Sequence, residues 1–553
     1  MPKKVEKNIR KIVLISIIAL ASILRLWNIS QVPPSASLDE ASITYNAYSV
    51  LKTGVDEFGD FPLVSQRGYD DWRRSTYLLM VVPFTAILNL STYSARLPAA
   101  LLSILTVLAT FGIAIRIFKK RDLFAYIFSY TSALLMAISP WHIYISRIGH
   151  ESNACLSFFV FGMYFFMKSR ETFKYLVPAI LFFLLSMISY YSGQIFVPVI
   201  LFALILLYGK DILRKTIKSK KAILVAITCI LVTLLAVWAI FSPEALIRYR
   251  GTSTLSPEAH PEAFAKRVEL RNKAVASGDL IGTILFNRHL FIAQVFFDGY
   301  RSHFNFDWLF ENKSGGSFKA PNVGLLYLWQ LPFILAGIVG LIFTKRIPGQ
   351  AKILILVWLL AGSLPASVAT QAPHAMRSYN IVPAWQLITA FGIAFFLFVI
   401  PKYKILAGFL LSILALAGLY FFVHHYFITF PKEQSKSFQY AYAKVIPYIL
   451  SNESSFKRIV ISNQDNLYQS YMLFLYHSKY DPIKYQELGG TISAGYNDTH
   501  KIGKYEFRPI EWEKENKKDT LFVGNADEFP LGTKPVMQSR YLNGKVGVII
   551  VKD

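Results

Sequence analysis

Apolar runs of membrane-spanning length, separated by short linkers rich in Lys and Arg, recur through the first three quarters of this chain. Each helical crossing of a bilayer core takes roughly 20 apolar residues. About eleven such segments are readable, at 11–28, 94–117, 122–139, 153–168, 175–191, 194–209, 222–241, 323–343, 353–369, 380–400 and 405–423. With 54% apolar residues over 553 positions, the chain is too apolar along too much of its length for a water-soluble enzyme. The expected fold class is mainly α, a polytopic membrane protein.

The formal net charge of +24 would point to nucleic acid if it clustered on a soluble domain. Here the basic residues sit between apolar runs: Lys119-Lys120-Arg121, Lys168 to Lys174, Lys210 to Lys221, Lys345-Arg346 and Lys402 to Lys404. Threading the segments alternately puts all five linkers on the side of the N-terminus, which the positive-inside rule assigns to the cytoplasm. The expectation is a multi-pass protein of the plasma (cytoplasmic) membrane, with membrane lipids and no nucleic acid among its partners. The basic start followed by Ile12 to Leu24 resembles a signal peptide, but Ala19-Leu20-Ala21 lies inside the apolar run and not after it, which favours a first span. Cys155 and Cys229 both fall within apolar segments and read as small buried hydrophobes.

The opposite, extracytoplasmic face then receives the loops 29–93, 140–152, 242–322 and 370–379 and the tail from 426. In the first loop, Tyr77 to Leu90 is apolar but contains Pro83, and reads as a helix lying in the interface. The tail turns to ordinary soluble composition. Glu433 to Leu450 and Leu467 to His477 read as helices, and Arg458 to Ser462, Thr520 to Gly524 and Val546 to Val551 as strands. The expected organisation is a transmembrane catalytic domain over 1–425 and a small soluble α/β domain over 426–553. The tail has no Gly-rich phosphate loop or metal-spaced His cluster, so a structural or acceptor-docking role is favoured over a second active site.

The residues able to carry chemistry collect on that outer face. Asp39-Glu40 follows Pro33-Pro34, where Ser37 or Asp39 can cap a new helix. An acid held at the membrane surface by a rigid helix suits a general base; helix capping by Asp39 fits the spacing equally. The loop from Ser139 to Asn153 holds His142, Arg147, His150 and Glu151, more ionisable groups than solubility requires. If that stretch is helical, Arg147 and Glu151 share a face, and an internal ion pair is the alternative to function. In Pro373-His374-Ala-Met-Arg377, the guanidinium suits a phosphate held at headgroup depth. The long loop contributes Arg248, Arg250, Asn287-Arg288-His289 and Asp298 to Arg301 without a specific pattern.

Taken in order, Leu38-Asp39-Glu40, Thr53 to Pro62, Tyr77 to Pro83, Ser94-Ala-Arg96-Leu97-Pro98, Ser139 to Arg147 with Glu151, and Pro373 to Arg377 make the membrane part resemble the GT-C membrane glycosyltransferases of the protein O-mannosyltransferase and aminoarabinose transferase type. The resemblance implies a GT-C fold of about 11 transmembrane helices, interfacial helices in the first extracytoplasmic loop and a small C-terminal α/β domain. It implies an inverting transfer of a sugar from a polyprenyl-phosphate-linked donor to an extracytoplasmic acceptor (protein, lipid or glycan). In that scheme Asp39, Glu40 and Glu151 are catalytic, with Asp39 as base and Glu40 as its tuning neighbour. Arg377, His374, Arg147, His150, Tyr45 and Arg96 are substrate-binding, with Arg377 on the leaving phosphate and Arg96 equally readable as structural. No cofactor is implied with certainty, and a divalent metal is left open. The Lys-Pro-Pro pattern of aminoarabinose transferases is absent, its place taken by Tyr69-Asp70-Asp71-Trp72-Arg73-Arg74, and the β-trefoil insert of eukaryotic protein mannosyltransferases is absent too. The acceptor is therefore unassigned.

The competing readings are a transporter or glycolipid flippase, and a membrane anchor for the C-terminal domain. Transporters bury charges at mid-membrane and show paired halves. The span interiors here are nearly free of ionisable residues, and no halves match.

Overall fold

Each of the eleven apolar segments contains helix in the computed structural model, which describes residues 3–217, 222–255, 259–311, 319–320, 322–495 and 498–552. Among the described residues, five helices are long and apolar enough to cross a membrane, or seven if each of two bent pairs is one span. Part of the difference from eleven has a local cause. Leu176–Ser189 has 14 residues and Leu331–Phe343 has 13, which at 1.5 Å per residue is short of the bilayer core. Leu123–Ile138 gives way at Pro140 to the short helix Pro140–Ser146 at 52°, as expected where proline stops a helix. The chain is a mainly helical integral membrane protein with a small C-terminal sheet domain.

The structure forms two compact units, Met1–Leu24 with Leu102–Ile145 and Ser152–Leu419, and Arg25–Leu101 with Ser146–Glu151 and Tyr420–Asp553. In the first unit, apolar side chains cover the outside, as in Phe343 at 78% exposure and Ile405 at 83%. Paired polar groups lie inside. Ser103 donates to Asn153 Oδ1 at 2.8 Å and Thr106 to Ser157 Oγ at 2.9 Å, and Gln330 donates to Gln386 at 3.0 Å. A bilayer offers buried polar groups no water, so they pair between helices.

The second unit is built on a six-stranded sheet in the order β4-β5-β3-β6-β8-β7. Its strands are β3 (Arg458–Ile461), β4 (His500–Ile502), β5 (Tyr505–Phe507), β6 (Thr520–Gly524), β7 (Met537–Arg540) and β8 (Val546–Lys552). β3 runs parallel to both β5 and β6, and the remaining pairs are antiparallel. The helices Tyr440–Asn452 and Ser470–Ser478 supply buried Tyr442, Val445, Ile446, Tyr471 and Phe474 to the same core as Ile459, Ile461, Leu521 and Ile550. Ala36, Ala41, Tyr45 and Leu90 of the first loop belong to that core as well. The division expected between 425 and 426 therefore does not separate two packing units. The first loop has buried apolar positions that the sheet domain covers, and the two fold together.

The same loop contains a hairpin, β1 (Ser65–Gly68) and β2 (Asp71–Arg74). Its two-residue turn, Tyr69-Asp70, has both φ angles positive, at 55° and 56°, matching the twist of a tight hairpin. The interfacial helix read over 77–90 is Thr76–Leu88.

Candidate active site

The helix Leu38–Thr53 begins with a reciprocal cap. Ser37 Oγ accepts from the Glu40 amide at 3.2 Å, and Glu40 Oε2 accepts from the Ser37 amide at 2.8 Å. Asp39 is thus not the cap. Glu40 is fully buried and also accepts from Arg96 Nε at 2.6 Å, Arg96 Nη2 at 3.0 Å and the Gly149 amide at 2.9 Å. Arg96 spends its other donors on the carbonyls of Ile29 at 2.8 Å, Pro33 at 2.9 Å and Ser35 at 2.5 Å. A Cβ at Gly149 would stand 2.5 Å from the Ala95 carbonyl oxygen, so only glycine lets this backbone reach Glu40. Glu40 and Arg96 form a buried tie that holds the acid-bearing helix. Every guanidinium donor of Arg96 and both carboxylate oxygens of Glu40 are engaged inside the protein.

Asp39 has a different setting. Its side chain is 32% exposed, and Oδ1 accepts from Arg73 Nη2 at 2.6 Å. Arg73 comes from β2, and its guanidinium carbon lies 5.2 Å from the centre of the Tyr69 ring. Tyr69 in turn donates to the Leu38 carbonyl at 2.6 Å, which docks the hairpin on the helix start. Burial works against the Arg73 charge, but Asp39 and Glu151 together hold its pKa above the ordinary value. Glu151 is 2% exposed, its Oε2 lies 3.3 Å from His150 Nε2, and its Oε1 is buried without a hydrogen-bond partner, as is Arg73 Nη1. Asp39, Arg73, Glu151 and His150 therefore make one cluster with hydrogen-bonding capacity to spare. Arg73 was visible in the sequence as part of Tyr69 to Arg74, yet nothing in that run signals a hairpin that aims it at Asp39.

Two other expected binding residues take structural positions. Arg147 is fully buried and donates to the carbonyls of Arg25 at 3.0 Å, Asn28 at 3.3 Å and Val32 at 2.9 Å, with its guanidinium 4.7 Å from the centre of the Phe427 ring. The helix Pro140–Ser146 ends before Arg147 and the next begins at Glu151, so the expected helical pairing of Arg147 with Glu151 does not form. Tyr45 is fully buried against Tyr485, 6.3 Å between ring centres, and belongs to the core of the sheet domain.

The first unit holds the predicted phosphate residues. His374 donates its amide to His303 Nε2 at 3.1 Å and accepts from the Arg377 amide at 3.4 Å. His303 Nδ1 lies 2.7 Å from the Gly299 carbonyl, which makes Nδ1 the protonated nitrogen, and burial pushes the His303 pKa down to about 4. His303 went unread in the sequence because its role is to hold another loop. Arg377 donates to the Thr370 carbonyl at 2.5 Å. It lines a cavity of about 340 Å³ together with Arg248, Tyr249, Tyr191, Ile240 and Phe241. A mostly apolar cavity lined by two arginines suits a ligand with a hydrocarbon body and an anionic head. Among the described residues, no three His, Cys, Asp or Glu side chains assemble as a metal-ligand set.

Multiple long apolar helices, an acid-bearing helix after the first of them and a small C-terminal sheet domain define the fold. Residues 77–239 match the family model described as dolichyl-phosphate-mannose-protein mannosyltransferase. The fold is similar to the archaeal oligosaccharyltransferase AglB from Archaeoglobus fulgidus in complex with an inhibitory peptide and a dolichol-phosphate. That comparison has a TM-score of 0.53 and 13% identity over 85% of this chain. This chain spans 64% of the length of that one. It is also similar to apo ArnT from Cupriavidus metallidurans, with a TM-score of 0.52 and 10% identity over 100% of this chain and 98% of the other. Comparison with curated protein sequences gives no match.

Proposed function

We propose that this protein is an inverting glycosyltransferase that moves a sugar from a polyprenyl-phosphate carrier to an acceptor on the extracytoplasmic side of the membrane. The observation that carries the reading is the separation of roles between adjacent acids. Ser37 and Glu40 cap and anchor the helix, while Asp39 is the partly exposed carboxylate, facing Arg73. Asp39 takes the acceptor's hydroxyl proton as that oxygen attacks the anomeric carbon. The bond from that carbon to the phosphate oxygen breaks, and the carrier phosphate leaves with the electron pair. Arg377, with Arg248 in the same cavity, binds that phosphate where charge accumulates. Glu151 and His150 complete the surroundings of Asp39 through Arg73. The apolar lining of the cavity and the dolichol-phosphate in the AglB structure support a lipid-linked donor. The donor is already activated, so this chemistry needs no nucleotide.

The test is transfer from synthetic polyprenyl-phosphate sugars by the purified protein. Asp39→Asn is expected to lower turnover by about 10²–10⁴-fold with carrier binding retained. Full turnover in Asp39→Asn removes Asp39 as base, and substrate-dependent flux across proteoliposomes without covalent transfer replaces the enzyme reading with a flippase.

A further inference from the structure

A second cavity, of about 300 Å³, opens in the first unit where two linkers far apart in sequence meet, and it is lined by Lys119, Lys120, Asp122, Lys345 and Arg346. Asp122 is already engaged. Its Oδ1 caps the helix Leu123–Ile138 through the Ala125 amide at 3.0 Å, and its Oδ2 lies 3.2 Å from Arg346 Nη1. The neighbouring Glu171 pairs with Arg121 at 3.0 Å and Arg116 at 3.6 Å. Among the described residues, Lys119, Lys120 and Lys345 have no carboxylate partner. Arg346 is held in place, its guanidinium carbon 5.0 Å from the centre of the Phe124 ring and 5.4 Å from that of Phe398.

Three unpaired ammonium groups around one concavity repel one another, and a bound anion relieves that repulsion. The positive-inside pattern explains why these linkers are basic; it does not require that they converge on a pocket. The surroundings select the kind of anion. Leu123, next to Asp122, is 59% exposed, and Phe343 and Ile342, just before the second linker, are 78% and 56% exposed. These side chains continue the apolar outer surface of the helices up to the basic rim, so a ligand there meets cations at its head and hydrocarbon below it.

We propose that this cavity binds the phosphate headgroup of an anionic phospholipid, on the face that the positive-inside pattern assigns to the cytoplasm, as basic pockets between transmembrane helices do. The shared chemistry is a phosphate anion; the apolar rim favours the lipid-borne form over a free one. The site is independent of the sugar-transfer reading.

Native mass spectrometry of the detergent-solubilised full chain tests the proposal with added phosphatidylglycerol, phosphatidylcholine or inorganic phosphate. The wild type is expected to retain phosphatidylglycerol in preference to phosphatidylcholine. The combined replacement Lys119→Gln, Lys120→Gln and Lys345→Gln is expected to lose that retention by about tenfold or more. A charge-matched control, Lys174→Gln, Lys402→Gln and Lys404→Gln, is expected to keep it, with thermal unfolding in zwitterionic detergent checking that both variants fold. Equal loss in the two triple variants, or equal retention of both lipids by the wild type, overturns the site. Phosphate competing as well as phosphatidylglycerol at equal concentration overturns the lipid assignment.

Discussion

Arg73 Nη2 lies 2.6 Å from Asp39 Oδ1, joining a residue of the hairpin to the acid that opens the next-door helix. The contact orients Asp39, and the second guanidinium nitrogen of Arg73 is buried without a partner, in the field of Glu151. A charge pair at this spacing makes the basicity of the acid depend on the cation.

Replacing Arg73 by Ala is expected to move the acid limb of the pH–rate profile upward, because a carboxylate that loses a neighbouring cation is protonated more readily. Arg73→Lys is expected to restore the limb in part while turnover stays reduced, since an ammonium keeps the charge but not the fork. A profile unchanged in Arg73→Ala would separate Arg73 from the reacting acid.

The buried tie between Glu40 and Arg96 predicts a stability phenotype. Glu40→Ala removes the only carboxylate partner of the buried Arg96 guanidinium among the described residues and the acceptor of the Gly149 amide, a loss of about 3–5 kcal/mol. Thermal unfolding in detergent is expected to show a lower midpoint for Glu40→Ala and for Arg96→Ala. Because the two remove one interaction, the double variant is expected to cost much less than the sum.

Stability is also expected to depend on pH through the loop that follows the acid-bearing helix. Glu57 is buried among Asn46, Tyr471 and Thr491, with hydrogen bonds of 2.9 Å, 3.2 Å and 2.7 Å. Burial pushes its pKa from 4.5 up to about 7 despite these bonds, and pushes Asp56 from 3.8 up to about 6. A raised carboxyl pKa means that the folded form binds more protons than the unfolded form, so stability is present at low pH and is lost as pH rises toward 7. The unfolding midpoint should fall as pH rises from about 4 to about 7, and Glu57→Gln should flatten that slope.

Arg377→Ala is expected to raise the donor KM by about 10–100-fold, the equivalent of a charge-assisted hydrogen bond or two, with a smaller rise for Arg248→Ala. His303→Ala is expected to act in the same direction indirectly, by releasing the loop that His374 anchors. Donor titration at saturating acceptor separates these effects on KM from any on kcat.

Hydrophobic run length and the placement of Lys and Arg were enough to read a many-helix membrane protein, because the bilayer imposes one simple requirement on every segment that enters it. The positions of Asp39, Glu151, His150 and Arg377 were legible as ionisable residues between apolar segments, and the strands Arg458–Ile461 and Thr520–Gly524 as largely apolar runs. Which of those charges face solvent and which are walled in was not legible, since burial depends on partners distant in sequence. Glu40 finds Arg96 and Gly149, Arg147 finds three carbonyls of the 25–32 stretch, and Tyr45 finds the core of a domain some 400 residues later. The short strands β4, β5 and β7 and the hairpin that aims Arg73 at Asp39 carry no strong periodic signal of their own. They exist because the surrounding core and the ion pair stabilise them, and only the tertiary structure decides that.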